Sequence, residues 1–139
     1  MNNQEIQIYT DGASRGNPGD AAWAYLILKN GDIVSKESGF LGKTTNNVAE
    51  YNAVIHALQA AKEKGYKTVE IYSDSELVIK QINGQYQVRK AHLRPLWEEV
   101  KKLQSCFEYT VFNSVRRSDR YVSVADQMCN ETLDRQTEK

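Results

Sequence analysis

The run Thr68-Val69-Glu70-Ile71-Tyr72-Ser73-Asp74-Ser75-Glu76-Leu77-Val78-Ile79-Lys80-Gln81-Ile82-Asn83-Gly84 changes its hydrophobic period partway along. As far as Ser73 the side chains alternate, with Val69 and Ile71 on one face, which is the two-residue period of a strand. Asp74 or Ser75 can then cap a short helix that runs through Leu77, Val78 and Ile82 to Gly84. A strand that hands directly to a helix is a βαβ element, and it sets the chain apart from helix bundles and all-β sandwiches.

The segments on either side complete the pattern. Glu5 to Thr10 alternates Ile6, Ile8 and Thr10 and reads as a strand ending at Asp11, followed by a loop from Gly12 to Gly19. Ala21 to Leu28 and Ile33 to Leu41 are β-prone runs separated by Asn30-Gly31, a strong tight-turn signal, so three strands form a meander. From Asn47 the period becomes helical in an Ala-rich run that stops at Gly65, with Thr44, Thr45 or Asn46 available as N-cap. Leu93 to Leu103 is amphipathic with Pro95 in its first turn, Phe107 to Val115 alternates as a fifth strand, and a last helix runs from about Val122 towards Arg135. The order β-β-β-α-β-α-α-β-α predicts an α/β fold, a five-stranded mixed sheet flanked by helices.

Composition fits such a fold. The 139 residues are 40% hydrophobic and 26% charged, with Gly 8 and Pro 2, which excludes collagen-like and wholly disordered chains and predicts one domain over residues 1–139. No stretch approaches the ~20 apolar residues that span a bilayer, and the start MNNQEIQ lacks a basic then apolar leader, so no membrane association and a cytoplasmic, reducing location are expected. Cys106 and Cys129 lack zinc or redox spacing and read as ordinary buried thiols. Lys+Arg 18 balance Asp+Glu 18, so there is no global basic field, yet Lys80, Arg89, Lys90, Arg94, Lys101 and Lys102 cluster against only Glu98 and Glu99. With Tyr86, His92 and Trp97 interleaved, this segment can track a phosphate backbone, or it can be a solvated helical face.

Three acids occupy positions that a mixed sheet can bring together: Asp11 at the end of the first strand, Glu50 in the first turn of the long helix, and Asp74 at the end of the fourth strand. Singly, each has an ordinary structural role as a turn former, a dipole partner or a cap. Jointly the surrounding words are more specific. Tyr9-Thr10-Asp11-Gly12-Ala13-Ser14 with Gly16-Asn17-Pro18-Gly19, then Thr44-Thr45-Asn46-Asn47-Val48-Ala49-Glu50, then Tyr72-Ser73-Asp74-Ser75, resembles type 1 ribonuclease H in its compact form without a long basic protrusion, from Ile6 to about Leu133.

The resemblance implies hydrolysis of the RNA strand of RNA–DNA hybrids, leaving 5′-phosphate and 3′-hydroxyl ends, with two Mg²⁺ ions, or Mn²⁺ as substitute, held by four carboxylates. Asp11 would bridge the ions, Glu50 and Asp74 would complete one shell, and Asp126 of Val124-Ala125-Asp126 would bind the other. Hard oxygen ligands and mutually repelling carboxylates suit such ions. The resemblance also implies substrate contacts: backbone at Gly12, Ala13 and Ser14, the Asn17 turn, a phosphate at Thr45, minor-groove amides at Asn46 and Asn47, and a weaker site at Glu76, where relatives carry Gln. Lys90 and Arg94 join these from the basic segment. A monomer is expected, double-stranded RNA is a possible further substrate, and the rival reading is a catalytically silent nucleic-acid-binding module of the same fold.

The chain departs from the family in its last third. No histidine stands between Asn113 and Val124, where Arg116, Arg117 and Arg120 lie instead, and Val122 replaces the Asn expected four residues before Asp126. Asp119 is therefore a second candidate for the fourth carboxylate, although pairing with the neighbouring arginines is its plainer role.

Overall fold

The computed structural model describes residues 5–137. Strands β1 (Ile6–Gly16), β2 (Gly19–Lys29) and β3 (Asp32–Thr44) form the expected antiparallel meander. Helix α1 (Asn46–Glu63) carries the chain across to β4 (Thr68–Ser73), which pairs parallel to β1, and β5 (Tyr109–Ser114) adds in parallel to β4. The sheet order is β3-β2-β1-β4-β5, and α2 (Glu76–Ile82), α3 (Arg94–Gln104) and α4 (Arg120–Thr137) complete the fold.

Each face of the sheet has its own helix layer. On one side Ile27, Ile8, Ile71 and Phe112, in register across four strands, pack with Val54, Leu58 and Tyr51 of α1. On the other, Ala22 and Ala24 meet Ala125, Cys129 and Leu133 of α4, while Leu26 and Leu28 meet Val122. Strand β2 is thus covered on both faces, which is why Ala21 to Leu28 is a continuous apolar run. Fully buried Leu, Ile and Val side chains contribute about 1.5–3 kcal/mol each, so these two layers dominate cohesion.

The segment expected to be a loop, Gly12 to Gly19, is mostly ladder. β1 continues to Gly16 and β2 begins at Gly19, leaving a tight turn at Asn17-Pro18, because Ser14, Arg15 and Gly16 find partners in Ala21, Asp20 and Gly19. Asp11 therefore lies within β1, one residue beyond Thr10↔Ser73, the last parallel pair with β4. Gly19 admits no side chain: a Cβ there would sit 2.1 Å from the Arg15 carbonyl oxygen.

Local chemistry chooses among the capping alternatives. Thr45 accepts from the Val48 amide and caps α1, and Ser75 accepts from the Val78 amide and caps α2. Glu50 consequently falls in the second turn of α1, not the first. The last helix starts two residues earlier than expected, because the Asp119 carboxylate accepts from the Tyr121 and Val122 amides at 2.9 and 3.0 Å. Cys129 is buried but Cys106 is exposed, and both are free thiols. Among the described residues no helix is long and apolar enough to cross a membrane.

Candidate active site

The place where β1 runs past the end of β4 gathers the acids. Asp11 comes from β1, Glu50 from α1 and Asp74 from the residue after β4, and one carboxylate oxygen of each lies within 4.8 Å of the others. Gly12 makes this possible: a Cβ there would stand 2.3 Å from the Ala49 carbonyl carbon, so only glycine lets α1 approach β1 closely enough. The Gly12 amide donates to Glu50 Oε1 at 2.8 Å and aims that carboxylate into the cluster.

The cluster is desolvated and charged. Asp11 is 4% and Glu50 5% exposed. At an effective dielectric of about 20, two full charges that close repel by roughly 3 kcal/mol, so without a cation the cluster holds on to protons. Burial, then the Glu50, Asp74 and Asp126 carboxylates, push the Asp11 carboxyl up to about 10. Glu50 is likewise raised well above its ordinary value, first by burial and then by Asp74, with the Gly12 amide and Arg117 pulling the other way. Asp74 Oδ1 is buried without a hydrogen-bond partner, and Arg117 Nε stands 3.9 Å from its other oxygen on an otherwise exposed side chain.

Asp126 lies in the second turn of α4, exposed, at the rim of the group, where its charge adds to those that raise Asp11. Asp119 caps α4 through its carboxylate, so the loop acid has a structural task that is not arginine pairing.

The chain matches the reverse transcriptase-like family over residues 9–132. A ribonuclease H of Chlorobaculum parvum is 34% identical over 145 residues, covering 95% of this chain and 97% of that protein. The chain belongs to the ribonuclease H family. Ribonuclease HI of Halobacterium salinarum is 38% identical over 130 residues, 93% of this chain and 64% of that protein, and the RNase H1 crystal structure from the same organism matches with a TM-score of 0.89 at 37% identity over 94% of this chain and 98% of that one. The structure of LC11-RNase H1 in complex with an RNA/DNA hybrid matches with a TM-score of 0.88 at 35% identity, covering 94% of this chain and 98% of that one. The chain spans 64% of the Halobacterium protein and 36% of the mycobacterial relatives it matches.

The remaining candidate residues of this ribonuclease H family member fall into two groups. Asn17 Oδ1 accepts from the Asn46 amide at 3.1 Å, which joins the β1–β2 turn to the start of α1 and sets Ala13, Ser14, Thr45, Asn46 and Asn47 around one seam, all but Asn17 half-buried. Gly12 lies beneath that seam, buried, with its amide already committed to Glu50. The second group is separate. Lys90 is exposed on the irregular segment between α2 and α3 and Arg94 is exposed at the start of α3, where its guanidinium lies 5.6 Å from the Trp97 ring centroid. Trp97 is itself anchored by its indole N–H donating to the Gln81 carbonyl at 3.0 Å. Glu76 pairs with Lys80 at 3.1 Å and Lys101 Nζ donates to the Ile82 carbonyl at 3.0 Å, so at least two of the six basic residues in that region are already partnered.

Sequence reasoning missed two neighbours of the acids. Cys129 sits under Asp11, its thiol donating to the Asp11 and Ala22 carbonyls at 3.6 and 3.7 Å, and burial followed by the four carboxylates raises its pKa. Its spacing of three from Asp126 on a helix was a usable signal. Arg117 reaches Asp74 from a loop, where residue spacing carries no such signal.

Proposed function

We propose that this chain is a divalent-metal-dependent endoribonuclease that hydrolyses the RNA strand of RNA–DNA hybrids and leaves 5′-phosphate and 3′-hydroxyl ends. The observation that carries the reading is the buried Asp11–Glu50–Asp74 group with Asp126 at its rim, on a chain whose family relatives are ribonucleases H. The donor set fits Mg²⁺ or Mn²⁺: every ligand atom is a hard oxygen, and Asp74 Oδ1 is buried with no partner from the protein. Asp11 stands within 4.8 Å of Glu50 and Asp74 and also feels the Asp126 charge, which supports it as the ligand two ions would share, with Glu50 and Asp74 completing one set and Asp126 the other. Bound there, such ions activate water and offset charge on phosphate oxygens.

The protein's own groups do the rest. The Gly12 amide fixes the direction of Glu50, the sheet and α1 exclude water from Asp11, and the Asn46 and Asn47 amides can both donate and accept beside 2′-hydroxyls and base edges. Lys90 and Arg94 supply screened phosphate contacts away from the acids. The decisive assay compares RNA–DNA, RNA–RNA and DNA–DNA duplexes with Mg²⁺, Mn²⁺ or chelator. Cleavage of the hybrid's RNA strand only with metal is expected. Binding without cleavage would favour the silent module, and equal cutting of RNA–RNA would widen the substrate class to double-stranded RNA.

A further inference from the structure

Asp126 differs from the other three acids in being exposed on a helix surface, so something other than burial must orient it. One turn along α4, Asn130 Nδ2 donates to the Asp126 carbonyl at 3.0 Å and faces Asp126 Oδ2 at 3.5 Å. An amide can present either end, and a partner on its far side decides which. Arg15 Nη2 lies 3.4 Å from Asn130 Oδ1 and 3.2 Å from the Asn130 carbonyl oxygen, so the guanidinium takes the acceptor end and leaves the NH₂ for Asp126. Arg15 is braced in turn by Asp134 at 2.6 Å. Its backbone belongs to the β1–β2 ladder, two residues before Asn17.

We infer that Arg15 and Asn130 are positioning residues for Asp126, a relay that ties the turn of the β1–β2 hairpin to the fourth carboxylate. This rests on the reading of Asp126 as a metal ligand. An exposed Arg–Asp pair contributes little to stability, roughly 0–1 kcal/mol, so the relay's effect belongs in the site and not in the melting temperature. Partners one shell out from a metal ligand characteristically change affinity or activity by about 10–100-fold. The hairpin end of the relay also places it next to the seam of Ala13, Ser14 and Asn17.

The test measures Mn²⁺ binding by calorimetry without nucleic acid, kcat and KM on a hybrid, and melting, for Asn130→Ala, Arg15→Ala, Arg15→Lys and the double alanine variant. Asn130→Ala and Arg15→Ala are each expected to weaken Mn²⁺ binding and lower kcat by about tenfold, with KM within about twofold and melting nearly unchanged. The double variant should be no worse than either single one, because the two act in series, and Arg15→Lys should recover most of kcat. Wild-type Mn²⁺ affinity in Asn130→Ala, losses that multiply in the double variant, or losses that follow melting temperature would each overturn the relay. If the wild type cuts no hybrid, the functional reading fails, while the Mn²⁺ affinities still decide the relay.

Discussion

The acid cluster and the basic segment are built on opposite principles. Asp11 and Glu50 are almost wholly buried, held by a strand, a helix and a backbone amide, at a cost in repulsion that only protons or cations relieve. Lys90 and Arg94 are exposed on chain without regular structure and in the first turn of α3, where their charges are hydrated and screened. Groups that organise a reacting centre need fixed directions and a dry setting, and groups that hold a polyanion need only charge and reach. Substitutions in the first region should therefore change rate, and those in the second should change salt dependence.

The largest expected effect is on Asp11. Asp11→Asn should lower hybrid cleavage by at least about a thousandfold, of order 4 kcal/mol in barrier, while melting in chelator stays level or rises because one repelling carboxylate is gone. The same cluster predicts a pH trend. A carboxyl whose folded pKa is raised to about 10 stabilises most below its unfolded value and loses that contribution as pH rises through the folded one. In chelator the wild type should melt progressively lower from about pH 5 to about pH 9, Asp11→Asn should flatten the curve, and divalent cation should restore stability at the alkaline end. A wild-type curve that rises with pH in chelator would count against a proton-holding cluster.

Next in size, Asp126→Asn should reduce single-turnover cleavage at saturating Mg²⁺ by at least about a hundredfold, of order 3 kcal/mol, whereas Asp119→Asn stays within about threefold. The reverse ranking would move the fourth ligand into the loop. A smaller change is expected in the basic segment: replacing Lys90 and Arg94 together by Ala should flatten the log–log salt dependence of hybrid binding by up to about 0.9 for each lost phosphate contact, with little change in kcat. An unaltered slope would make the segment a solvated face. The smallest effect separates a cap from a ligand. Asp119→Ala should cost about 1 kcal/mol of stability, a few degrees of melting, with cleavage nearly intact, since its carboxylate holds two amides at the start of α4.

Much of this was legible in one dimension because its causes are local. Period-two runs around Ile8 and Ile71, the Asn30-Gly31 turn, the Ala-rich helix stopping at Gly65 and the strand-to-helix switch at Asp74 each follow from neighbours a few residues apart, and together they determined an α/β mixed sheet. The family words around Asp11, Glu50 and Asp74 likewise named the acids that the structure gathers within 4.8 Å. What only the tertiary structure decided depends on partners distant in the chain. Gly12 looked like a turn glycine until α1 was seen to lie against it, and the loop after Asp11 became ladder because β2 was there to pair with it. Asp119 became a cap, Cys129 came to lie beneath Asp11, and Arg15 at the end of β1 met Asn130 of α4, because contacts between residues more than a hundred positions apart, or between alternatives of equal local merit, are selected by packing and not by propensity.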